Sequence, residues 1–184
     1  SRESYSVYAQ TTYSLSDAFR IVSGLRYSED TFTTDVTNFL NVESFQEEGT
    51  TDEITSRVVA EVDFSEDIMG YFALAKGFMP GGSNLTFGFD DDNAPPMVFP
   101  TFEAETVDSV EFGLKSTFAD GAARANIAVF SYTYENLQFQ ATDPDIYRGG
   151  VANIPESEMS GLEVEFTGFL TAVSYTHLTL PTNG

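Results

Sequence analysis

The sequence predicts an all-β protein, an antiparallel segment of a transmembrane β-barrel. Apolar and polar residues alternate over runs of about ten residues, which is the period of a strand with two different faces. Short turns and long polar loops alternate between these runs, and no stretch of eighteen apolar residues is present. Phenylalanine and tyrosine are frequent, with 17 and 9 copies, as the two interfaces of a membrane barrel require.

About seven strands can be placed along the chain, each bounded by turn residues or by acidic stretches. The predicted strands are Tyr5–Leu15, Phe19–Tyr27, Ile54–Phe64, Ile68–Phe78, Glu105–Phe118, Arg124–Phe139 and Asn153–Phe169. Short turns are expected at 16–17, 65–67 and 119–121. Long loops are expected at Glu29–Glu53, with ragged strand extensions, at about 79–102 and at about 140–150.

The individual strands differ in how clearly they alternate. The first has Tyr5, Val7 and Tyr13 on one face, and its eleven residues, tilted by about 45°, rise roughly 25 Å, the height of a barrel's apolar band. The second and third strands set an apolar face against a charged one. In Ile68–Phe78 both alternating sets are largely apolar, so the facing of this strand stays open. Glu105–Phe118 and Asn153–Phe169 again set an apolar face against a face that carries charges.

Charged residues within the strands fall on the faces opposite the apolar sets. A charge that faces lipid at mid-depth costs about 2–4 kcal/mol, whereas opposite charges paired across strands gain only about 0.2–1 kcal/mol. The sequence therefore predicts a wet lumen, with Arg20 level with Glu61 and Asp63, and Arg124 level with Glu165. The predicted lumen-facing charges are Arg20, Arg26, Arg57, Glu61, Asp63, Glu111, Lys115, Arg124, Glu163 and Glu165.

Composition excludes several classes of function. With 29 acidic and 8 basic residues the formal charge is -21, so no basic patch exists to bind nucleic acid. There is no cysteine, and the one histidine, His177, lies in an atypical tail, so no nucleophile–base pair, enzyme activity, cofactor or metal site is predicted. Asp90-Asp91-Asp92 could bind calcium but lacks the spacing of a calcium loop, and a solvated acidic loop is the preferred interpretation.

A soluble antiparallel β protein with one polar face would show the same alternation. Strands of soluble proteins average about 5–6 residues and their hairpin loops are short, however. The long strands here therefore favour the membrane barrel.

Four segments resemble, in order, the barrels of TonB-dependent outer-membrane receptors. They are YFALAKGFMPGGSN at 71–84, ETVDSVEFGLKS at 105–116, DGAARANIAVFSYTYENLQ at 120–138 and NIPESEMSGLEVEF at 153–166. The resemblance covers about residues 5–170 and implies a barrel of about 22 strands in the Gram-negative outer membrane, filled by an N-terminal plug. By this resemblance the chain is an open fragment, because the plug, the TonB-binding box, a signal peptide and the remaining strands are absent from it.

The resemblance also implies a function and partners. It implies TonB-driven uptake of a scarce solute, most often a ferric siderophore, with outer-membrane lipid, TonB (through the plug) and the ferric chelate as partners. Residues near the loops are candidates for a ligand vestibule: Phe78, Asn84, Phe87, Phe89 and Tyr147. An alternative is a small closed structural or adhesive barrel of about eight strands without transport. It would need residues 171–184 as an eighth strand, whereas we expect this uncharged tail to be non-native sequence.

Overall fold

A computed structural model describes residues 1–38, 43–84, 101–143, 148–171 and 174–183. Within these ranges the chain forms ten β-strands. They are β1 Arg2–Ser14, β2 Phe19–Asn38, β3 Glu43–Ser65, β4 Ile68–Met79, β5 Gly82–Ser83, β6 Thr101–Phe102, β7 Glu105–Phe118, β8 Ala123–Asp143, β9 Arg148–Thr171 and β10 Ser174–Asn183. No helix among the described residues has the length and apolar character that crossing a membrane requires.

Eight of these strands form one antiparallel sheet in the order β1-β2-β3-β4-β7-β8-β9-β10, and β5 pairs with β6 separately. The predicted all-β antiparallel fold is confirmed. The sheet is open, because β1 and β10 stand at its two opposite edges. The alternative of a closed eight-stranded barrel requires these two strands to pair, and the described strands do not have that arrangement.

The prediction of a long loop at Glu29–Glu53 is wrong. β2 and β3 pair continuously from Phe19 with Val62 to Asn38 with Glu43. Threonine favours extended backbone, and Thr31 and Thr50 place their Oγ1 atoms 3.1 Å apart across the two strands. The acidity of this stretch indicates exposure to solvent, which an extended hairpin provides as well as a loop does. The loop predicted at 140–150 is also shorter, since β8 runs to Asp143 and β9 begins at Arg148.

The tail forms an edge strand. β10 pairs with β9 from Tyr175 with Phe169 to Asn183 with Gly161, after a register shift at Ser174. An exposed strand edge pairs with almost any extended segment, because only backbone groups take part. A domain boundary near residue 170, with a non-native tail beyond it, therefore stays a prediction.

The short turns are built from local hydrogen bonds. The Ser16 hydroxyl accepts the amides of Ala18 and Phe19 at 3.3 and 3.1 Å. The Ser65 hydroxyl accepts the amide of Asp67 at 3.2 Å. The turn after β7 uses positive φ at three successive residues, ending at Gly121 with φ 85°, where glycine is under no steric strain. These turns fix the register of the hairpins that they close.

The sheet has an apolar face but almost no interior. Among the described residues Val59, at 3 % exposure, is the buried apolar side chain, whereas Phe112 is 60 % exposed and Phe64 is 67 % exposed. A soluble domain of this length would bury a substantial core. We define the apolar face by one register row of paired residues: Tyr13, Ile21, Ala60, Phe72, Phe112, Val129 and Leu162.

The apolar residues drift along the strands relative to that row. On β1 they extend toward the long-loop end, to Val7 and Tyr5, whereas on β9 they extend toward the short-turn end, to Phe166. The drift amounts to about one residue per strand, as tilted strands that cross a flat membrane require. On the same face of β7 and β9, the long-loop side of the row carries Asp108 and Glu158, where the apolar band has ended.

Candidate functional site: the charged face

All ten charges predicted to line the lumen lie on one face of the sheet. Residues paired across antiparallel strands share a face. On the side opposite the apolar row, one row of paired residues links six strands: Arg20, Glu61, Tyr71, Gly113, Ala128 and Glu163. The other predicted charges follow this row at even spacings along their own strands. We call this side the charged face. Its orientation toward a lumen stays a prediction.

Arg20 forms an ion-pair cluster with two carboxylates on the charged face. Its Nε lies 2.5 Å from Oε2 of Glu61, and its Nη1 lies 2.6 Å from Oδ2 of Asp63. The three side chains are 24–34 % exposed, so the cluster is partly shielded from water. The prediction that Arg20 lies at the same height as Glu61 and Asp63 on the neighbouring strand is confirmed. One guanidinium therefore bridges two carboxylates that stand two residues apart on β3.

Tyr71 connects the charges of β4 and β7. Its hydroxyl donates to Oε1 of Glu111 at 2.5 Å, and the ammonium of Lys115 lies 5.2 Å from the centre of its ring. The ring also covers Gly113, its register partner. The sequence left the facing of this strand open, and the ring settles it, because Tyr71 lies on the charged face and Phe72 on the apolar face.

Replacing Gly113 by alanine is expected to destabilise the barrel by about 1 kcal/mol, because the new Cβ would overlap the Tyr71 ring. The measurement is the guanidinium midpoint of the complete receptor that carries this segment, assembled in lipid vesicles. Gly24→Ala on the same face is the control, since its Cβ would meet nothing closer than the Ala9 carbonyl at 3.7 Å. Equal midpoints for the two variants would contradict the close packing at Gly113.

Arg26 and Arg57 lie together on the long-loop side of the face. Arg26 donates to the hydroxyls of Ser28 and Ser6, both at 3.0 Å. Together with Thr55 and Gln10 the two arginines line an open cavity of about 400 Å³. Lys76 also lines the cavity, which therefore presents three cationic residues together with several hydroxyl groups and the Gln10 amide, a set that suits an anionic ligand.

The charges of β8 and β9 are arranged differently from the prediction. Glu165 pairs in register with Asn126, whose Nδ2 donates to Oε2 of Glu165 at 2.8 Å. Arg124 is in register with Thr117 and Thr167, two residues nearer the short turn. The prediction placed Arg124 and Glu165 at the same height from their distances in sequence to the turns. Those distances do not show how many residues each turn takes, so the predicted heights differ from the observed register by two residues.

Three aromatic residues form a column on the charged face of β8. The rings of Phe130 and Tyr132 are stacked with centroids 4.9 Å apart, and Tyr134 meets Tyr132 edge-on at 6.5 Å. These three residues were not among the predicted site residues. The sequence could have indicated them, because each is separated from Arg124 by an even number of residues along β8. This spacing puts them on the charged face, the side of the strand opposite to Val129.

The predicted vestibule residues are not brought together by the described structure. Phe78 is half-buried and belongs to the alternating set of the apolar face. Asn84 is 9 % exposed, and both ends of its amide are engaged by the backbone of Val151. Phe87, Phe89 and Tyr147 lie outside the described residues, as does Asp90-Asp91-Asp92. A ligand role for these five vestibule residues stays a prediction. Within the described ranges no group of three or more acidic or histidine side chains is placed to hold a metal ion.

A one-layer sheet with an exposed apolar face and a charged face defines a wall segment of an outer-membrane β-barrel. The profile of the "TonB dependent receptor-like, beta-barrel" family matches residues 1–184. The chain belongs to this family, and its location is the outer membrane of a Gram-negative cell.

Relatives and solved structures agree with this assignment. The chain is 28 % identical to the pesticin receptor of Yersinia enterocolitica over 172 aligned residues. The alignment covers 89 % of the chain and 23 % of that receptor. It matches the ferric yersiniabactin uptake receptor FyuA of Yersinia pestis with a TM-score of 0.74 at 20 % identity, over 98 % of the chain and 27 % of FyuA. It matches the siderophore receptor PiuA of Acinetobacter baumannii with a TM-score of 0.68 at 21 % identity, over 93 % of the chain and 24 % of PiuA. The chain thus spans about a quarter of the length of the curated relatives that it matches.

Proposed function

We propose that the chain is part of a receptor that takes up a scarce solute, a ferric siderophore first of all, with energy delivered by TonB. The apolar face contacts outer-membrane lipid, and the charged face lines the lumen beside a plug domain. In such a receptor the ligand binds at the outer side, and TonB acts on the plug to open a path. The family is one of receptors, and we propose no enzymatic activity.

The observation that supports this function best is the cavity of about 400 Å³ beside Arg26 and Arg57. Ferric chelates are commonly anionic, and guanidinium groups bind carboxylates and similar oxygen anions in a fixed fork geometry. The relatives support the same class of ligand, since FyuA is named for ferric yersiniabactin uptake and PiuA for a siderophore.

The function is tested in the organism that carries the gene. Deletion of the gene is expected to abolish uptake of radioactive iron supplied with the siderophore from its own iron-starved culture medium. Complementation with the complete gene restores uptake, and a protonophore or loss of TonB abolishes it again. Unchanged iron uptake in the deletion strain, with another solute lost instead, would replace the siderophore by that solute.

Replacing both Arg26 and Arg57 by glutamine is expected to raise the half-saturating concentration for uptake by about tenfold. Two partly exposed ionic contacts of about 0.5–1 kcal/mol each would be lost, and about 1.4 kcal/mol corresponds to a factor of ten. Arg124→Gln is the matched control, because it removes a cation of the same face near the opposite end. A similar loss in both variants would show that the cavity is not where the ligand is held.

A further inference from the structure

One segment leaves the sheet and lies against it. It consists of residues 80–84, which are the end of the GFMPGGSN motif, together with residues 101–104, and we call it the strap. β5 and β6 pair within it, Gly82 with Phe102 and Ser83 with Thr101. The proposed function leaves this motif without a role.

One edge of the strap, at Gly81 and Ser83, is tied to β1 and β2. The Nη2 of Arg2 donates to the carbonyl of Gly81 at 2.7 Å. The hydroxyls of Thr34 and Ser83 lie 2.8 Å apart. These contacts join residues that are 79 and 49 positions apart in the chain.

The opposite edge, at Pro80, Asn84 and Glu103, is tied to β8 and β9. The Asn84 amide donates to the carbonyl of Val151 at 2.7 Å and accepts the Val151 amide at 2.6 Å, as a neighbouring strand would do. Gln138 donates from Nε2 to the carbonyls of Pro80 and Glu103, both at 3.1 Å. Asn153 Oδ1 accepts the amide of Glu103 at 2.8 Å.

The strap crosses the charged face. Arg2, Thr34, Gln138 and Asn153 all belong to the alternating sets of that face by their register. The order of the sheet places β3, β4 and β7 between the two anchoring pairs of strands. The strap therefore spans the face near the long-loop end of the wall.

The strap is closely packed, and its two glycines allow this. A Cβ on Gly81 would lie 2.6 Å from the carbonyl oxygen of Phe102, and one on Gly82 would lie 2.7 Å from the Phe102 ring. Asn84 is 9 % exposed and Glu105, which accepts the Gln138 amide at 2.7 Å, is 8 % exposed. Buried polar groups that are fully bonded rigidify the structure around them.

We propose that the strap is a fixed ledge inside the outer mouth of the barrel and that it limits the size of solutes that reach the charged face. Asn84 and Gln138 are its positioning residues. The ledge rests on the proposed function, because it requires the charged face to line the lumen. The ligand of the receptor passes while the strap stays in place.

A designed disulfide tests where the strap lies. The 184 residues contain no cysteine, so thiols introduced in this segment are the ones that react there. In the complete receptor, Thr34→Cys with Ser83→Cys is expected to cross-link on oxidation and to leave iron uptake from the native culture medium unchanged. Thr31→Cys with Thr50→Cys, which joins β2 to β3 away from the strap, is the matched control. Loss of uptake in the first pair alone would overturn the fixed ledge in favour of a moving element, and failure to cross-link would overturn its position.

Labelling a thiol below the strap tests the size limit. Thr55→Cys places a thiol in the cavity beside Arg57. Releasing the strap with Asn84→Ala and Gln138→Ala is expected to raise labelling from outside the cell by a 5-kDa polyethylene glycol maleimide about fivefold, with labelling by N-ethylmaleimide unchanged. Asn126→Ala, an amide removed elsewhere on the charged face, is expected to change neither rate.

The outcomes separate the ledge from the function on which it rests. If releasing the strap raises the labelling rates of both reagents equally, or raises neither, the ledge is overturned, because a barrier of defined size discriminates between a small and a large reagent. No labelling at position 55 by either reagent overturns the lumen orientation of the charged face. A purely structural role for Asn84 and Gln138 would not alter the ratio of the two rates.

Discussion

Arginine in place of Val129 is expected to destabilise the assembled barrel by about 2–4 kcal/mol. Val129 is 54 % exposed and belongs to the apolar row, where it lies between Phe112 and Leu162. A guanidinium on this apolar face would be turned toward hydrocarbon, where neither water nor a counter-ion is within easy reach. The measurement is the guanidinium midpoint of the complete receptor in lipid vesicles, together with the amount assembled in the outer membrane.

The adjacent position supplies the control. Ala128 is next in the chain and lies on the charged face, in register with Glu163. Ala128→Arg introduces the same side chain beside a carboxylate and is expected to change stability by less than about 1 kcal/mol. If Ala128→Arg were the more damaging of the two, the assignment of the faces to lipid and lumen would have to be reversed.

Replacing Arg20 by alanine is expected to destabilise the barrel by about 2 kcal/mol. The substitution removes two charge-assisted hydrogen bonds and leaves Glu61 and Asp63 as neighbouring anions without their shared cation. Such bonds contribute about 1.5–3 kcal/mol each when shielded, and the partial exposure of this cluster reduces that figure. The same denaturation experiment measures the loss, and 1 M salt should diminish it by screening the remaining repulsion.

Two further variants separate charge from geometry in this cluster. Arg20→Lys keeps the positive charge but loses the planar guanidinium that reaches both carboxylates. The stability of this variant is therefore expected to lie midway between that of Arg20→Ala and that of the native protein. Removing both carboxylates together with Arg20 should be less damaging than removing Arg20 alone, since no unpaired anion remains. Additive effects across this set would show that the three side chains do not act as a unit.

Several features of the fold follow from the sequence because they depend on local alternation. The pattern around Arg20, Glu61 and Asp63 placed these charges on one face and at one height, and the ion pairs are there. Alternation failed at β4, where Tyr71 and Phe72 are both large and aromatic and only their neighbours on β7 distinguish the two faces. It also failed at Thr31 and Thr50, where an acidic, threonine-rich stretch is compatible with either a loop or a hairpin.

The candidate site was predicted less completely than the fold. The charges of the face could be read from the alternation because each needs only its own strand. The ties of the strap join Arg2 to Gly81 and Asn84 to Val151, and nothing local in the sequence indicates contacts over such separations. The predicted ligand role of Asn84 stays a prediction, and the sequence did not indicate that its side-chain amide bonds the backbone of Val151.

The sequence by itself determined that this chain is a β-barrel wall with one apolar and one charged face, because a period of two needs only neighbouring residues. The tertiary structure decided which strands are long, how Tyr71 faces, and where the glycine-rich motif goes after its strand ends. These depend on register and on polar partners contributed by distant strands. Pairing energy spread over twenty backbone positions, as in β2 with β3, outweighs the local polarity of the residues that are paired.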